Sequence, residues 1–162
     1  MIPLRRPRAG AHARRGLSVV ETSIAVSLFL ILLLGFFDVS RALFARLTLQ
    51  HAVREAGRFA VTGRTLEGAG GMLNREQSIE QVLAQYAAPH VPAPGDVWIS
   101  STSGGPGSAG GPGDTLTIRV RYRLQLITFF VGQWFPNHEY VIDTSTTFRN
   151  EPFPPVQGIQ GS

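Results

Sequence analysis

The longest apolar run in the sequence extends from Leu17 to Phe37 and contains one ionisable residue, Glu21. A helix rises about 1.5 Å per residue, so this run would span roughly 31 Å, close to the ~30 Å hydrocarbon core of a bilayer. The pattern therefore predicts a transmembrane helix over residues 17–37.

A helical pattern continues beyond the apolar run. Apolar residues recur at i, i+4, i+7 and i+11 between Asp38 and Val61, in the order Leu49, Val53, Ala56 and Ala60. This spacing is typical of an amphipathic helix. No proline occurs between residues 17 and 61, so the two segments are predicted to form one continuous helix that Gly63 ends. Its second half, residues 38–63, would pack on a folded domain. Asp38 with Arg41, and Glu55 with Arg58, are spaced to pair along its surface.

A second helix is predicted over residues 74–88, after a glycine-containing linker over residues 65–72. Asn74 can cap its first turn, and Gln77, three residues later, completes the pattern of a capping box. Pro89 ends the helix. Its apolar face is formed by Ile79, Val82, Leu83, Tyr86 and Ala87.

The C-terminal third alternates with the period of β-strands. Strands are predicted over residues 96–101, 115–126 and 139–150; a hydrophobic turn joins the last two. The glycine-rich segment between the first two, residues 103–113, is predicted to be a flexible hairpin loop. A three-stranded antiparallel meander with one apolar face needs a cover, which the amphipathic helices supply. The predicted fold is therefore α+β.

The positive charge is concentrated at the N-terminus. Residues 1–16 contain five arginines and no acid, whereas the rest of the chain has ten arginines against eleven acidic residues. Nucleic-acid binding by the folded part is therefore disfavoured. A basic leader before an apolar span predicts a cytoplasmic N-terminus. The folded domain, residues 64–153, would then lie on the other side of the membrane and end in a flexible tail, residues 154–162.

The sequence lacks two reactive residue types and shows no catalytic or metal-binding motif. There is no cysteine, and all fifteen basic residues are arginine, which excludes disulfides, thiolate zinc sites and lysine chemistry. The histidines at 12, 51, 90 and 138 have no ligand spacing, and the glycine-rich segment lacks a P-loop ending. The sequence predicts no catalytic residue, no metal, no cofactor and no small-molecule substrate, and hence no enzyme.

Two sets of charged residues leave alternatives open. Arg119, Arg121 and Arg123 would line one strand face, either as a site for anions or an acidic partner or as a solvated row that discourages edge pairing. An ionisable residue in a membrane helix indicates a functional partner. Glu21, however, is only about one turn from the start of the apolar run, so it can also reach the headgroups.

Residues 14–63 resemble the TadE-like family of tight-adherence (Tad) pilus assembly proteins. The resemblance depends on Arg15-Gly16, Val20-Glu21, Asp38, Arg41 and the run Ala52-Val53-Arg54-Glu55-Ala56-Gly57-Arg58-Phe59-Ala60. The ending Arg149-Asn150-Glu151-Pro152-Phe153 is also similar to the family's C-terminus, although residues 114–153 match only loosely.

The resemblance implies a pilin-like protein (pseudopilin or minor pilin) of the bacterial inner membrane, with a long N-terminal helix. A prepilin-type peptidase would cut between Gly16 and Leu17 and leave Glu21 as the fifth residue. The Glu21 carboxylate would then neutralise the N-terminal amine of a neighbouring subunit. The implied partners are the other pilin-like subunits of the Tad apparatus, the peptidase and the membrane, and the protein could enter a surface pilus.

Two other interpretations compete with this one. The chain could be a generic single-pass membrane protein whose periplasmic domain binds another partner. It could also be a secreted domain, such as an adhesin, because Ser40-Arg41-Ala42 is an acceptable signal peptidase site.

Overall fold

The computed structural model describes residues 11–68 and 70–153 and has the predicted α+β fold. Residues 1–10 of the predicted leader and the predicted tail, residues 154–162, lie outside the described residues. The chain forms in order α1 (Ala11–Val61), β1 (Glu67–Gly68), β2 (Gly71–Met72), α2 (Arg75–Ala87), β3 (Val97–Ser101), β4 (Gly105–Pro106), β5 (Thr115–Gln125), α3 (Phe129–Gly132), a 3₁₀ turn (Pro136–His138) and β6 (Glu139–Arg149).

The continuous N-terminal helix is confirmed. α1 has 51 residues and changes character near Asp38. The side chains from Val19 to Leu34 are exposed, whereas one face of the second half is fully buried: Ala45, Leu49, Ala52, Val53, Ala56 and Ala60. The four alanines among them let α2 and the sheet approach α1 closely. α1 thus has an exposed apolar surface between Val19 and Leu34, and beyond Asp38 it forms part of the core of the domain.

Gly57 permits the closest approach between α1 and the sheet. A Cβ atom at this position would lie 1.9 Å from the ring of Phe148 on β6. Any side chain would therefore displace Phe148. This is the physical reason for a glycine in the middle of a helix that otherwise favours larger residues.

The second helix and its cap are also confirmed. The backbone N–H of Gln77 donates to the Asn74 side chain (2.7 Å), and the Gln77 side chain accepts from the backbone N–H of Asn74 (3.2 Å). This is the predicted capping box. The buried face contains Ser78, Ile79, Val82, Leu83 and Ala87.

Tyr86 differs from the prediction that placed it in this apolar face. It is 43% exposed, and its ring lies edge-on to His51 of α1 at 5.7 Å. Ser78 is buried instead, because its hydroxyl donates to the Asn74 carbonyl (2.8 Å) and accepts from the backbone N–H of Leu66 (2.9 Å). A polar residue that is hydrogen-bonded in this way is buried at little cost.

The prediction of a single three-stranded sheet is wrong. The main sheet has four antiparallel strands in the order β4-β3-β5-β6, and the predicted linker over residues 65–72 forms a separate two-stranded hairpin, β1-β2. The additional strand, β4, comes from the glycine-rich segment and pairs with Ser100 and Ser101 of β3. Two-residue strands of glycine and proline have no alternating pattern, so the sequence does not reveal them.

The glycine-rich segment connects the antiparallel strands β3 and β5, as predicted for a hairpin loop, and it also packs on the domain. Ala109 is fully buried, and its N–H donates to the Glu76 carboxylate of α2 (3.0 Å). The Asn150 side-chain amide donates to the carbonyls of Ala109 (3.0 Å) and Gly111 (2.8 Å). Side chains that are distant in the sequence therefore satisfy its backbone and hold it on the domain.

Arg75 and the residues after β6 close the end of α1. The Arg75 guanidinium donates to the carbonyl of Ala60 (2.8 Å) and lies 4.7 Å from the ring centroid of Phe153. The N–H of Glu151 donates to the carbonyl of Val61 (3.0 Å). The last carbonyls of a helix need such partners. The end of α1 and the residues after β6 therefore meet at Val61, which lies about 35 Å along α1 from Asp38 at ~1.5 Å per residue.

Candidate functional site

The predicted processing and assembly residues lie in the first half of α1. Gly16 and Leu17 belong to its helical backbone, and Glu21 lies about one turn further, with an exposed side chain. From Val19 onward, the first buried side chain along α1 is Asp38. The structure therefore places all three residues on one helix, ahead of Asp38, and leaves the Glu21 side chain exposed.

The surface around Glu21 is suited to an apolar environment. Its neighbours Val19, Val20 and Ile24 are all exposed. The Ser23 and Ser27 hydroxyls donate to the carbonyls of the residues four positions earlier, both at 2.8 Å. Polar atoms that are satisfied within the helix do not oppose its transfer into lipid. In the part of the chain that the structure describes, α1 is the one helix long and apolar enough to span a membrane.

Asp38 fastens the membrane end of the domain to α1. Its carboxylate is 1% exposed and accepts hydrogen bonds from the backbone N–H of Ile127 (3.0 Å) and of Thr128 (2.8 Å) and from the Thr128 hydroxyl. The predicted pair with Arg41 is confirmed at 3.5 Å. Arg41 also donates to the carbonyl of Gln125 (3.3 Å). The spacing along α1 predicts the ion pair, but not the three hydrogen-bond donors of Ile127 and Thr128 on the other side of the carboxylate.

The surroundings of Asp38 favour its charged form. Burial alone would raise the pKa of the carboxyl group. The hydrogen bonds from Thr128 and Ile127, together with the positive charge of Arg41, outweigh burial and hold the pKa below its usual range. Asp38 is therefore ionised at neutral pH, and its hydrogen bonds are charge-assisted.

The connection between β5 and β6 forms an apolar tip next to Asp38. We define the tip as residues 126–138; it contains α3 and the 3₁₀ turn, and Ile127, Phe129 and Trp134 expose their side chains there. The sequence predicts a hydrophobic turn here but not its position beside Asp38. Its apolar composition is itself a signal, because the segments that join strands are usually polar.

The arginines of the β5 row pair with aspartates of the same chain. Arg119 donates to both carboxylate oxygens of Asp143 on β6 (3.0 and 2.5 Å), and Arg121 lies 3.6 Å from the same carboxylate. Arg123 donates to both oxygens of Asp96 (2.7 and 3.2 Å). The Arg119 hydrogen bond is the main cause of the lowered pKa of Asp143. These internal ion pairs favour the solvated-row alternative over an anion site.

The remaining candidate chemistry is dispersed. Among the described residues, no group of three or more histidine or acidic side chains is placed to hold a metal ion. His90 packs edge-on between Phe44 (5.6 Å) and Tyr122 (5.5 Å), and burial followed by the charge of Arg41 lowers its pKa. His51 and His138 each contact an aromatic ring. The histidines whose side chains are described thus pack against rings on separate parts of the domain.

Comparison with known proteins confirms the family resemblance that the sequence suggested. A family model described as TadE-like protein matches residues 16–58. The match begins at Gly16, contains Glu21, Asp38 and Arg41, and ends three residues before α1 does. Searches of the curated proteins and of the solved structures found no match. Residues 16–58 are therefore TadE-like, and the match covers α1 alone.

Proposed function

We propose that this chain, whose first helix is TadE-like, is a minor pilin-like component of Tad-type pilus biogenesis. It would be held in the bacterial inner membrane by the first half of α1, with its N-terminus in the cytoplasm and its domain in the periplasm. Its role would be structural rather than catalytic. It would assemble with other pilin-like subunits after a prepilin-type peptidase has cut between Gly16 and Leu17.

The continuity of α1 is the observation that carries this proposal. One helix bears the Gly16-Leu17 bond, the Glu21 carboxylate, a bare apolar surface and the core face of the domain. Subunits built in this way can pack the exposed halves of their helices together while their domains stay outside. An enzyme would need a set of converging reactive groups, whereas the polar side chains of the described residues are dispersed.

The same continuity disfavours the secreted-domain alternative. Cleavage after Ala42 would cut α1 between Arg41 and the buried Ala45. It would remove Asp38, and with it the acceptor for the N–H groups of Ile127 and Thr128. A released domain would therefore lose part of its own hydrogen bonding, whereas a cut at Gly16-Leu17 leaves Asp38 and its hydrogen bonds in place.

We predict that the mature protein begins at Leu17 when it is expressed with its prepilin-type peptidase. Intact mass and N-terminal sequencing of membrane-extracted protein measure this directly. Gly16→Leu should block the conversion, because a large side chain replaces the smallest one at the cut bond. Ala42→Leu, the matched control at the competing site, should leave it unchanged. A start at Leu43 would support the secreted domain, and a start at Met1 the unprocessed anchor.

We also predict that the C-terminus lies in the periplasm, because five arginines precede the apolar span. Alkaline phosphatase fused after Ser162 should be active, and a cytoplasm-dependent reporter at the same position should not. Fusions of the two reporters ahead of Met1 should give the opposite pattern. Cytoplasmic-type activity after Ser162 would contradict the proposed function altogether.

A further inference from the structure

We propose that the tip, residues 126–138, is a second membrane-contact site, which inserts Ile127, Phe129 and Trp134 into the headgroup region of the bilayer that α1 crosses. The inference rests on the membrane anchor in the proposed function, but not on the pilus role. The proposed binding partner of the tip is the lipid surface beside α1.

The hydrogen bonds between α1 and the tip fix the position of the tip. Gln125, the last residue of β5, is bonded to Arg41, and Ile127, two residues later, is bonded to Asp38. The chain that leaves β5 therefore runs back along α1 toward its N-terminus. It reaches the level of Asp38, directly after the apolar span, and there turns over into β6. The Leu126 N–H donates to the carbonyl of His138 (3.0 Å) and closes the base of the tip.

The exposure of the tip is unusual for apolar side chains. Ile127 is 67%, Phe129 63% and Trp134 86% exposed. Phe36 and Phe37 on the neighbouring turn of α1 are exposed as well. Large apolar side chains that cluster on a surface mark a contact with a membrane or a partner. Here the cluster continues the surface of the helix that crosses the bilayer, so lipid is the environment that already lies beside it.

The chemistry of the tip suits the headgroup region. Tryptophan is enriched at membrane interfaces, where its ring is in apolar contact while its N–H stays hydrated. Residues 126–138 contain no aspartate, glutamate or arginine, so insertion buries none of these charges. The backbone N–H of Gly132 donates to Thr128 (2.8 Å) and that of Gln133 to Phe129 (3.2 Å), which satisfies part of the backbone internally.

The two tryptophans of the chain provide a test with an internal control. Trp98 lies on β3 opposite Arg119, which is six residues before Gln125, or about 20 Å from the tip at ~3.3 Å per residue. Trp98→Phe leaves Trp134 as the only tryptophan, and Trp134→Phe leaves Trp98. The full chain with either substitution is placed in phosphatidylcholine vesicles whose lipids are brominated near the carbonyl end or near the methyl end of the acyl chains. Flotation first shows whether each variant is bound to the vesicles.

We expect brominated lipid to quench Trp134 several-fold more than Trp98, and bromine near the carbonyl end to quench it more than bromine near the methyl end. The emission of Trp134 should also shift to shorter wavelength when the chain enters vesicles. Acrylamide in the aqueous phase should quench Trp98 more strongly than Trp134.

Each other outcome overturns the inference in a recognisable way. If the chain floats with the vesicles but Trp134 is quenched by acrylamide and not by brominated lipid, the tip stays in water while the anchor stands. If Trp134 is shielded from both quenchers, another protein copy covers it instead of lipid. If the chain does not float with the vesicles, the membrane anchor of the proposed function fails, and the inference fails with it.

Discussion

Asp38→Ala is expected to lower the free energy of unfolding of the domain by about 3 kcal/mol, since each unsatisfied buried donor costs ~1–3 kcal/mol. The substitution leaves the N–H groups of Ile127 and Thr128 and the Thr128 hydroxyl without their acceptor, next to the buried side chain of Thr128. The loss should also detach the tip from α1.

The measurement is equilibrium unfolding of the full chain in detergent micelles, followed by tryptophan emission. Glu55→Ala is the matched control, because Glu55 forms the same i,i+3 pair with an arginine of α1, at 3.8 Å, without any buried donor. That exposed pair is worth at most about 0.5 kcal/mol. Asp38→Asn keeps one acceptor oxygen and should give an intermediate loss. Equal stabilities of Asp38→Ala and Glu55→Ala would refute the role given to Asp38.

The stabilisation by Asp38 should depend on pH with a defined sign. Its pKa is lower in the folded chain than in the unfolded one, so its contribution is fully present above the ordinary carboxyl pKa of about 4. The contribution is lost as the pH falls through the lower, folded value. The difference in stability between the natural chain and Asp38→Asn should therefore shrink below about pH 4.

The helices were predictable because their signals are local. The capping box of α2 needs only Asn74 and Gln77, three residues apart, and the apolar face of α1 repeats within single turns. β5 was predictable for the same reason, since its buried side chains alternate strictly. β4 was not, because glycine and proline pair with β3 only where Glu76 and Asn150 hold the glycine-rich segment down.

The contacts of Asp38 were likewise predictable only where the partners are close in the sequence. The pair of Asp38 with Arg41 follows from a spacing of three residues, whereas the bond from Thr128 to Asp38 joins residues ninety positions apart. No periodicity links such positions. The tip could have been suspected from its apolar composition, but its place beside the end of the apolar span depends on the direction of β5 along α1. The sequence therefore predicts the ion pair between Asp38 and Arg41 on α1. It does not predict the hydrogen bonds that Ile127 and Thr128 donate to Asp38 from the end of β5.

Glu21→Ala is expected to abolish capture of partner subunits and to remove surface fibres, with little effect on the stability of the domain. Glu21 is exposed, and the domain core begins seventeen residues later at Asp38. In an assembled apolar bundle, the carboxylate would neutralise the N-terminal amine of a neighbour. Removal of one member of a buried ion pair costs about 3–5 kcal/mol, which weakens association by roughly 100-fold or more.

The measurement is co-purification of pilin-like subunits with the tagged chain, together with counts of surface fibres. Glu21→Asp shortens the reach by one methylene and should give an intermediate defect, while Glu21→Gln should resemble alanine because it carries no charge. Ser27→Ala is the matched control, since it changes an exposed polar residue of the same apolar segment whose hydroxyl bonds only within α1. It should leave capture and fibres unchanged.

Two further readings separate the possible roles of the carboxylate. A peptidase that recognises Glu21 would also cause a loss of fibres, so the mass of each variant must show whether Gly16-Leu17 is still cut. A variant that is cut normally, is present at the normal level and still captures no partner places the defect in the ion pair between subunits. Normal capture and normal fibres with Glu21→Ala would instead mean that the carboxylate only reaches the headgroups. In that case the apolar surface of α1, and not a charge, would have to set the register between subunits.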